Sequence, residues 1–307
     1  MHNSKRVIYV ALISNIAVFL AKLGASIITG SIAMLAETLR SLSDIMNQTF
    51  LAIGVNLSSQ GSSQKYPFGR GKEVFFWSFI ASLFVIGGSG ILSVAEGMNR
   101  LFSPKNIFNG NVIFIVLSLA FIFETISLIN LLKTHKQKKL NKYYDGDIRI
   151  TRNPALFIVL VEDVSAIIEI IVVFISIYAS IYLGLLYLDG LAAIFVGLIM
   201  IIIGLHIAKQ SKEQLIGIGL EPYEIENIRK IILSIPHVNQ IIDIKSVYFG
   251  VNRVILGIDI NFKDKLTTDE IEHTIDEIEQ KIKQLYPFIK HIYIEAEGQP
   301  VIIKKST

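Results

Sequence analysis

Three ionisable side chains within one apolar stretch carry the chemical potential of this chain. Glu37, Arg40 and Asp44 lie in SIAMLAETLRSLSDIMNQ, residues 31–48. A helix turns about 100° per residue, so positions 3, 4 and 7 apart return to one side and these three share a face. Charge is costly inside a bilayer, and such a face is either an ion site or pathway or a structural ion pair. The chemistry on offer is oxygen coordination of a cation by carboxylates, with the polar Ser41, Ser43, Asn47 and Gln48 alongside. Arg40 can neither ligate a cation nor release its proton at physiological pH. It pairs with Asp44 or with a carboxylate from another helix.

A second group lies in VLVEDVSAIIEII, where Glu162 and Asp163 are adjacent and Glu169 follows Glu162 by one heptad. Adjacent helical residues point about 100° apart, so Glu162 and Asp163 cannot both face one point. Either can meet the Arg40 segment, and periodicity does not choose between them. Either can also carry a proton beside a second carboxylate; the competing reading has one balancing Arg40 while the other packs. Lys22, Glu96, Glu124 and Asp189 are further charges in apolar segments, with Asn15 as a polar companion. Glu96 and Asp189 lie near segment ends and read as snorkelling or capping groups, whereas the deeper Glu124 reads as a partner for a lysine or arginine.

The six histidines, at 2, 135, 206, 237, 273 and 291, show no HxH or HxxxH spacing. They make a weak metal signal; His237 and His291 could meet across a sheet, but unrelated surface histidines are the simpler reading. No nucleophile and base pair, phosphate loop or cofactor motif is visible, so the chain does not read as an enzyme and implies no resident cofactor.

The elements that must hold these residues are long apolar runs. The chain has 307 residues, 52% of them hydrophobic, and a mean hydropathy of +0.54, which together indicate a polytopic membrane protein embedded in a lipid bilayer. A net charge of +3 gives no reason to invoke nucleic acid. The absence of cysteine removes disulfides and thiolate ligands. Runs of membrane-spanning length fall near 7–29, 31–57, 73–98, 111–132, 154–184 and 187–208, which predicts six transmembrane helices. The first is too long for a signal-peptide core of about 7–15 residues and is expected to stay in the protein. The Thr29-Gly30-Ser31 connection makes the first two helices antiparallel neighbours. Lysine and arginine concentrate at the start, in the connection at 58–73, in the strongly basic 133–152 stretch and after residue 208. The positive-inside rule therefore predicts that both termini are cytoplasmic. The basic 133–152 stretch, with His135, reads as a solvated topology determinant rather than a lipid or metal site. Abundant Ile and Lys fit an AT-rich bacterial genome, so the expected membrane is a bacterial inner membrane.

From Glu221 the composition turns polar. Residues 222–235 read as an amphipathic helix, 240–248 and 252–262 as strands joined by a Gly250-Val251 turn, and FIKHIYIEAEG as a third strand. Thr267 with Glu270 forms a capping-box pattern that opens a helix running to about Leu285, before Pro287. The order α-β-β-α-β predicts a small α+β sheet with helices on one face. The expected division is a transmembrane domain over 1–210 and a soluble domain over 211–307.

With these segments in view, the chain resembles the cation diffusion facilitator family, proton-coupled exporters of zinc and related divalent metals. The resemblance rests on NIAVFLAKLGASIITGSIAMLAETLRSLSD, PFGRGKEVFFW, VLVEDVSAIIE and LDGLAAIFVGLIMIIIGLHIAKQSKEQLIG, and covers almost the whole chain. The Glu-Asp pair and DIMNQ look most like the subgroup that includes the mitochondrial zinc transporter of animals. The resemblance implies an all-α six-helix transmembrane domain followed by a C-terminal α+β ferredoxin-like cytoplasmic domain, a homodimer, and alternating access. It also implies metal bound between the second and fifth helices and exchanged for protons.

Carried over by position, the family's ligand pair on the second helix, His or Asp and then Asp, falls on Arg40 and Asp44. The fifth-helix aspartate falls on Asp163, and the ligand four residues earlier falls on Val159. Tyr66 and Arg70 stand where the family often has histidines. Two of four usual ligand positions thus remain acidic, and a fixed positive charge has entered the site. At an effective dielectric near 20 and a separation of a few ångströms, its repulsion of a dication is on the order of several kcal/mol. Glu162 or Glu37 can supply replacement oxygens. The expected ligands are therefore Asp44, Asp163, Glu162 and Glu37, with Arg40 as a built-in counter-charge. Without histidine the donor set admits manganese or iron as readily as zinc. Two functions follow: a proton-coupled divalent-metal exporter, or a non-transporting homologue that is a membrane-anchored dimeric interaction protein with an Arg40 ion network in place of the site.

Overall fold

The structure, a computed structural model, describes residues 2–107, 110–140 and 154–298; the side chains of 2–14, 130–131, 133–140 and 154–162 lie outside the description. The chain forms two compact units, one of Met1–Gly54 with Trp77–Ser211 and one of Val55–Phe76 with Lys212–Thr307.

The first unit is helical. It draws on α1 (His2–Thr29), α2 (Ile32–Ser58), α3 (Glu73–Phe84), α4 (Leu92–Phe102), α5 (Gly110–Leu140), α6 (Pro154–Tyr182) and α7 (Tyr187–Ile216). Among the described residues four helical stretches are long and apolar enough to cross a membrane: Glu73–Phe102, Gly110–Ile129, Asp163–Tyr182 and Tyr187–Ile216. Ile115, Leu119, Ile122, Ile175, Ile202 and Leu205 are exposed on these helices. Such apolar surface is stable against lipid rather than water. Beneath it Met34, Ile113, Leu117, Ile170, Val173 and Val196 form one core. The chain is a multi-pass membrane protein.

Three local features depart from the expected spans. The third run is not a uniform α-helix, because α3 and α4 are joined by a π-helical turn, Val85–Ile91. That turn contains Gly87, Gly88 and Gly90, and glycine relaxes the backbone where an extra residue must be accommodated. The α5 backbone stays helical to Leu140, past the predicted end at 132, and α7 to Ile216, past 208. Both extensions are rich in Lys and Gln, which favour helix without needing burial. The rest of the basic stretch, 141–153, and the side chain of His135 lie outside the described residues.

Glycines set how closely α4 and the π turn approach α7. A Cβ on Gly97 would stand 2.7 Å from the carbonyl oxygen of Gly190, and one on Gly197 the same distance from that of Gly90. The two contacts repeat at heptad spacing on each helical segment of the pair, so backbone packs directly on backbone, as small residues allow in membranes.

The second unit holds α8 (Pro222–Leu233), β1 (Val238–Gly250), β2 (Arg253–Phe262), α9 (Thr268–Leu285) and β3 (Ile289–Ala296). Its mixed sheet has the order β1-β2-β3, antiparallel between β1 and β2 and parallel between β2 and β3. Alternate residues of β2, Val254, Leu256, Ile258 and Ile260, are fully buried with Ile228 and Ile232 of α8 and Ile278 and Ile282 of α9. The predicted capping box is present: Thr267 Oγ1 accepts from Glu270 N, and Glu270 accepts from Thr267 N at 2.7 Å. The hairpin turn is Val251-Asn252 rather than Gly250-Val251, because Asn252 takes the positive φ of 55° and Gly250 stays paired with Arg253. The α2–α3 connection belongs to this unit. A Cβ on its Gly71 would collide with Phe249 O, and Phe68 packs edge-on against Phe249 and His291.

Candidate metal site

The predicted shared face of α2 exists, and two of its three charges, Glu37 and Arg40, have partners on other helices. Glu37 Oε2 accepts from Lys22 Nζ of α1 at 2.8 Å, with both side chains buried. Arg40 Nη1 stands 3.0 Å from Glu169 Oε2 of α6, while its Nε lies 3.7 Å from Asp44 Oδ2 one turn along α2. Arg40 Nη1 also reaches Met200 Sδ of α7 at 3.8 Å. Glu169 has no exposure, whereas the Asp44 side chain is 25% exposed. Asp44 is therefore the least enclosed carboxylate of this group.

Asp163 is buried and accepts a hydrogen bond from Ser127 Oγ of α5 at 3.1 Å. Asp44 lies within electrostatic reach of Asp163 and of the half-buried Glu124 of α5. Glu162 has its side chain outside the described residues. Among the described residues no group of three or more His, Asp or Glu side chains is arranged to hold a metal ion. Among the described residues Glu37 Oε1 and Ser43 Oγ receive no hydrogen bond. Buried oxygens of this kind are costly unless an ion, water or cation satisfies them.

Glu169 carries weight that sequence reasoning did not assign to it. Its heptad spacing from Glu162 was the visible signal, but spacing on α6 does not say which residue of α2 it meets. Asp189 is likewise more than an end cap of its own helix. Its carboxylate accepts from Ser31 Oγ at 2.6 Å and from the backbone amides of Ile32 and Ala33 at 3.0 and 3.1 Å. It also accepts from Arg100 Nε at 3.0 Å, while Arg100 Nη2 donates to Gly30 O at 2.8 Å. A residue of α7 thus caps the N-terminus of α2 across the fold, which fixes the start of the helix that bears Glu37, Arg40 and Asp44. Glu96 is exposed.

The soluble histidines do not converge. His237 pairs with Thr274 Oγ1 at 3.0 Å, and His291 sits against Phe68 and Phe249 near the opposite end of β2. In the α2–α3 connection, Tyr66 lies under Lys65 and Arg70, and Arg70 donates to Glu73 and Gln60. The two positions where histidines were absent are occupied by a local cation–aromatic and ion-pair cluster.

Two family profiles match this chain: the cation efflux transmembrane domain over residues 8–216 and the cation efflux protein cytoplasmic domain over 220–299. The chain belongs to the cation efflux family. It is 25% identical over 271 residues to the mitochondrial proton-coupled zinc antiporter SLC30A9 of Xenopus laevis, covering 87% of this chain and 48% of that protein. Metal tolerance protein C4 of Arabidopsis thaliana is 24% identical over 86% of this chain and 58% of its own length. The cation-efflux pump FieF of Serratia proteamaculans is 25% identical over 74% of this chain and 71% of its own. The chain spans about half the length of the animal antiporters it matches. Membership, with the helices described above, makes the protein a multi-pass membrane protein with a transmembrane helical domain and a C-terminal cytoplasmic domain built on a small mixed sheet.

Proposed function

We propose that this protein exports a divalent metal cation from the cytoplasm in exchange for protons, by alternating access, as a homodimer. Asp44 and Asp163 are the primary ligands, with Glu162 adding oxygen and the same carboxylates taking up protons as metal leaves. Glu37 belongs to the supporting scaffold through Lys22. In this reading six helices cross a bacterial inner membrane, both termini are cytoplasmic, and the C-terminal domain is ferredoxin-like. The observation that carries the proposal is Asp44: a partly exposed carboxylate beside an otherwise buried charge cluster, within electrostatic reach of Asp163. Its similarity to proteins named as a zinc antiporter and a cation-efflux pump agrees with it. The all-oxygen donor set accepts zinc, manganese or iron.

The test is metal flux into proteoliposomes driven by a pH gradient. Asp44→Asn and Asp163→Asn are each expected to abolish it, and undiminished flux in either would overturn the ligand assignment. The Arg40–Glu169 pair favours one rival, a non-transporting dimer in which an ion network replaces the site. Calorimetry of the purified protein separates the two: the absence of heat with zinc, manganese, iron and cobalt would support the rival.

A further inference from the structure

We propose that Glu169 is a positioning residue that sets the charge of the cation site by holding Arg40 away from Asp44. The inference rests on the metal-site reading above and names a residue that the reading does not use as a ligand.

The geometry is a competition for one guanidinium. Glu169 approaches Arg40 at 3.0 Å and Asp44 approaches it at 3.7 Å. Glu169 is entirely buried, so it gains most from a cationic neighbour, whereas the Asp44 side chain is a quarter exposed and less enclosed. Lys22, the other buried cation of the cluster, is already engaged with Glu37 at 2.8 Å. Each buried cation therefore has its own buried anion. Asp44 keeps the weaker share of Arg40, and among the described residues Asp163 and Glu124 have no lysine or arginine at ion-pair distance. Asp44, held at the longer distance from the guanidinium, is the carboxylate of the cluster left to a mobile cation.

Without Glu169, the nearest carboxylate to the guanidinium among the described residues is Asp44, one turn away on the same helix. Arg40 would then occupy the cation's place, and its fixed charge would oppose a dication at short range. Glu169 thereby offsets the positive charge that entered at a usual ligand position.

The experiment is a charge-exchange series on the full-length protein in nanodiscs, with zinc and manganese as titrants in calorimetry and a thermal melt to establish folding. Glu169→Gln is expected to weaken binding by about tenfold or more. The double variant Arg40→Gln with Glu169→Gln is expected to return to within about threefold of the parent, since neutralising both partners leaves the site charge unaltered. Unchanged binding in Glu169→Gln overturns the proposal. A double variant as weak as that single variant also overturns it, since Glu169 would then be a ligand or a packing element. If Glu169→Gln fails to fold, Arg40→Gln alone decides: binding as tight as the parent or tighter supports the proposal, and weaker binding overturns it. Asp44→Asn is run in parallel, and parent-like binding there shows that the site reading itself has failed.

Discussion

The Arg40 guanidinium lies 3.0 Å from Glu169 on α6 and 3.7 Å from Asp44 on its own helix. The closer contact crosses between helices, so Arg40 ties α2 to α6 at the level of the candidate ligands. Replacing Arg40 with histidine removes the fixed charge and supplies an imidazole, a good zinc ligand. Arg40→His is expected to raise zinc affinity while lowering the thermal midpoint, because Glu169 loses its buried partner at a cost of about 3–5 kcal/mol. Calorimetry with zinc and a melting curve measure the two effects separately; weaker zinc binding would contradict the role given to Arg40.

Lys22 and Glu37 form the second buried pair, with 1% and 0% side-chain exposure. Lys22→Met or Glu37→Gln alone strands one charge or polar group and is expected to destabilise the protein by about 3–5 kcal/mol, whereas Lys22→Met with Glu37→Met recovers most of the loss. Thermal unfolding in detergent reads all three. Single variants as stable as the parent would show that this pair is not structural.

The glycine contacts between α4 and α7 make a steric prediction. Gly97→Ala drives a methyl group to 2.7 Å from Gly190 O and 2.8 Å from Ile194 Cγ1. It is expected to cost about 1–3 kcal/mol. Gly87→Ala meets nothing within 4 Å and is expected to be neutral or to stabilise by about 0.5–1 kcal/mol. Equal melting temperatures for the two variants would refute the close packing.

The α9 capping box links stability to pH. Hydrogen bonds from the Thr267 amide and hydroxyl hold the Glu270 carboxyl below its usual value. A group whose affinity for protons falls on folding stabilises the fold above its unfolded pKa and loses that contribution as pH drops through the folded pKa. Glu270→Gln is therefore expected to lower the denaturation midpoint of the cytoplasmic domain at neutral pH. The gap from the parent closes on acidification below the ordinary glutamate range. A pH-independent gap would assign the effect to packing instead of the carboxylate.

The sequence by itself determined the features written in near neighbours. Apolar runs of membrane length define the helices of the first unit because a bilayer requires each span to satisfy its own backbone. The 3, 4 and 7 spacing of Glu37, Arg40 and Asp44 made their common face readable because helical periodicity is local. The Thr267 and Glu270 box placed the start of α9 for the same reason. Tertiary structure decided which charge meets which. Arg40 had carboxylates available on its own helix and on α6, and helix packing gives the closer contact to Glu169. Lys22 finds Glu37, and Asp189 caps α2 from more than 150 residues away. The π turn and the placement of the α2–α3 connection beside the sheet were also decided at this level. Such pairings depend on the azimuth and approach of separate elements, which are set by the whole core at once and leave no periodic trace along the chain.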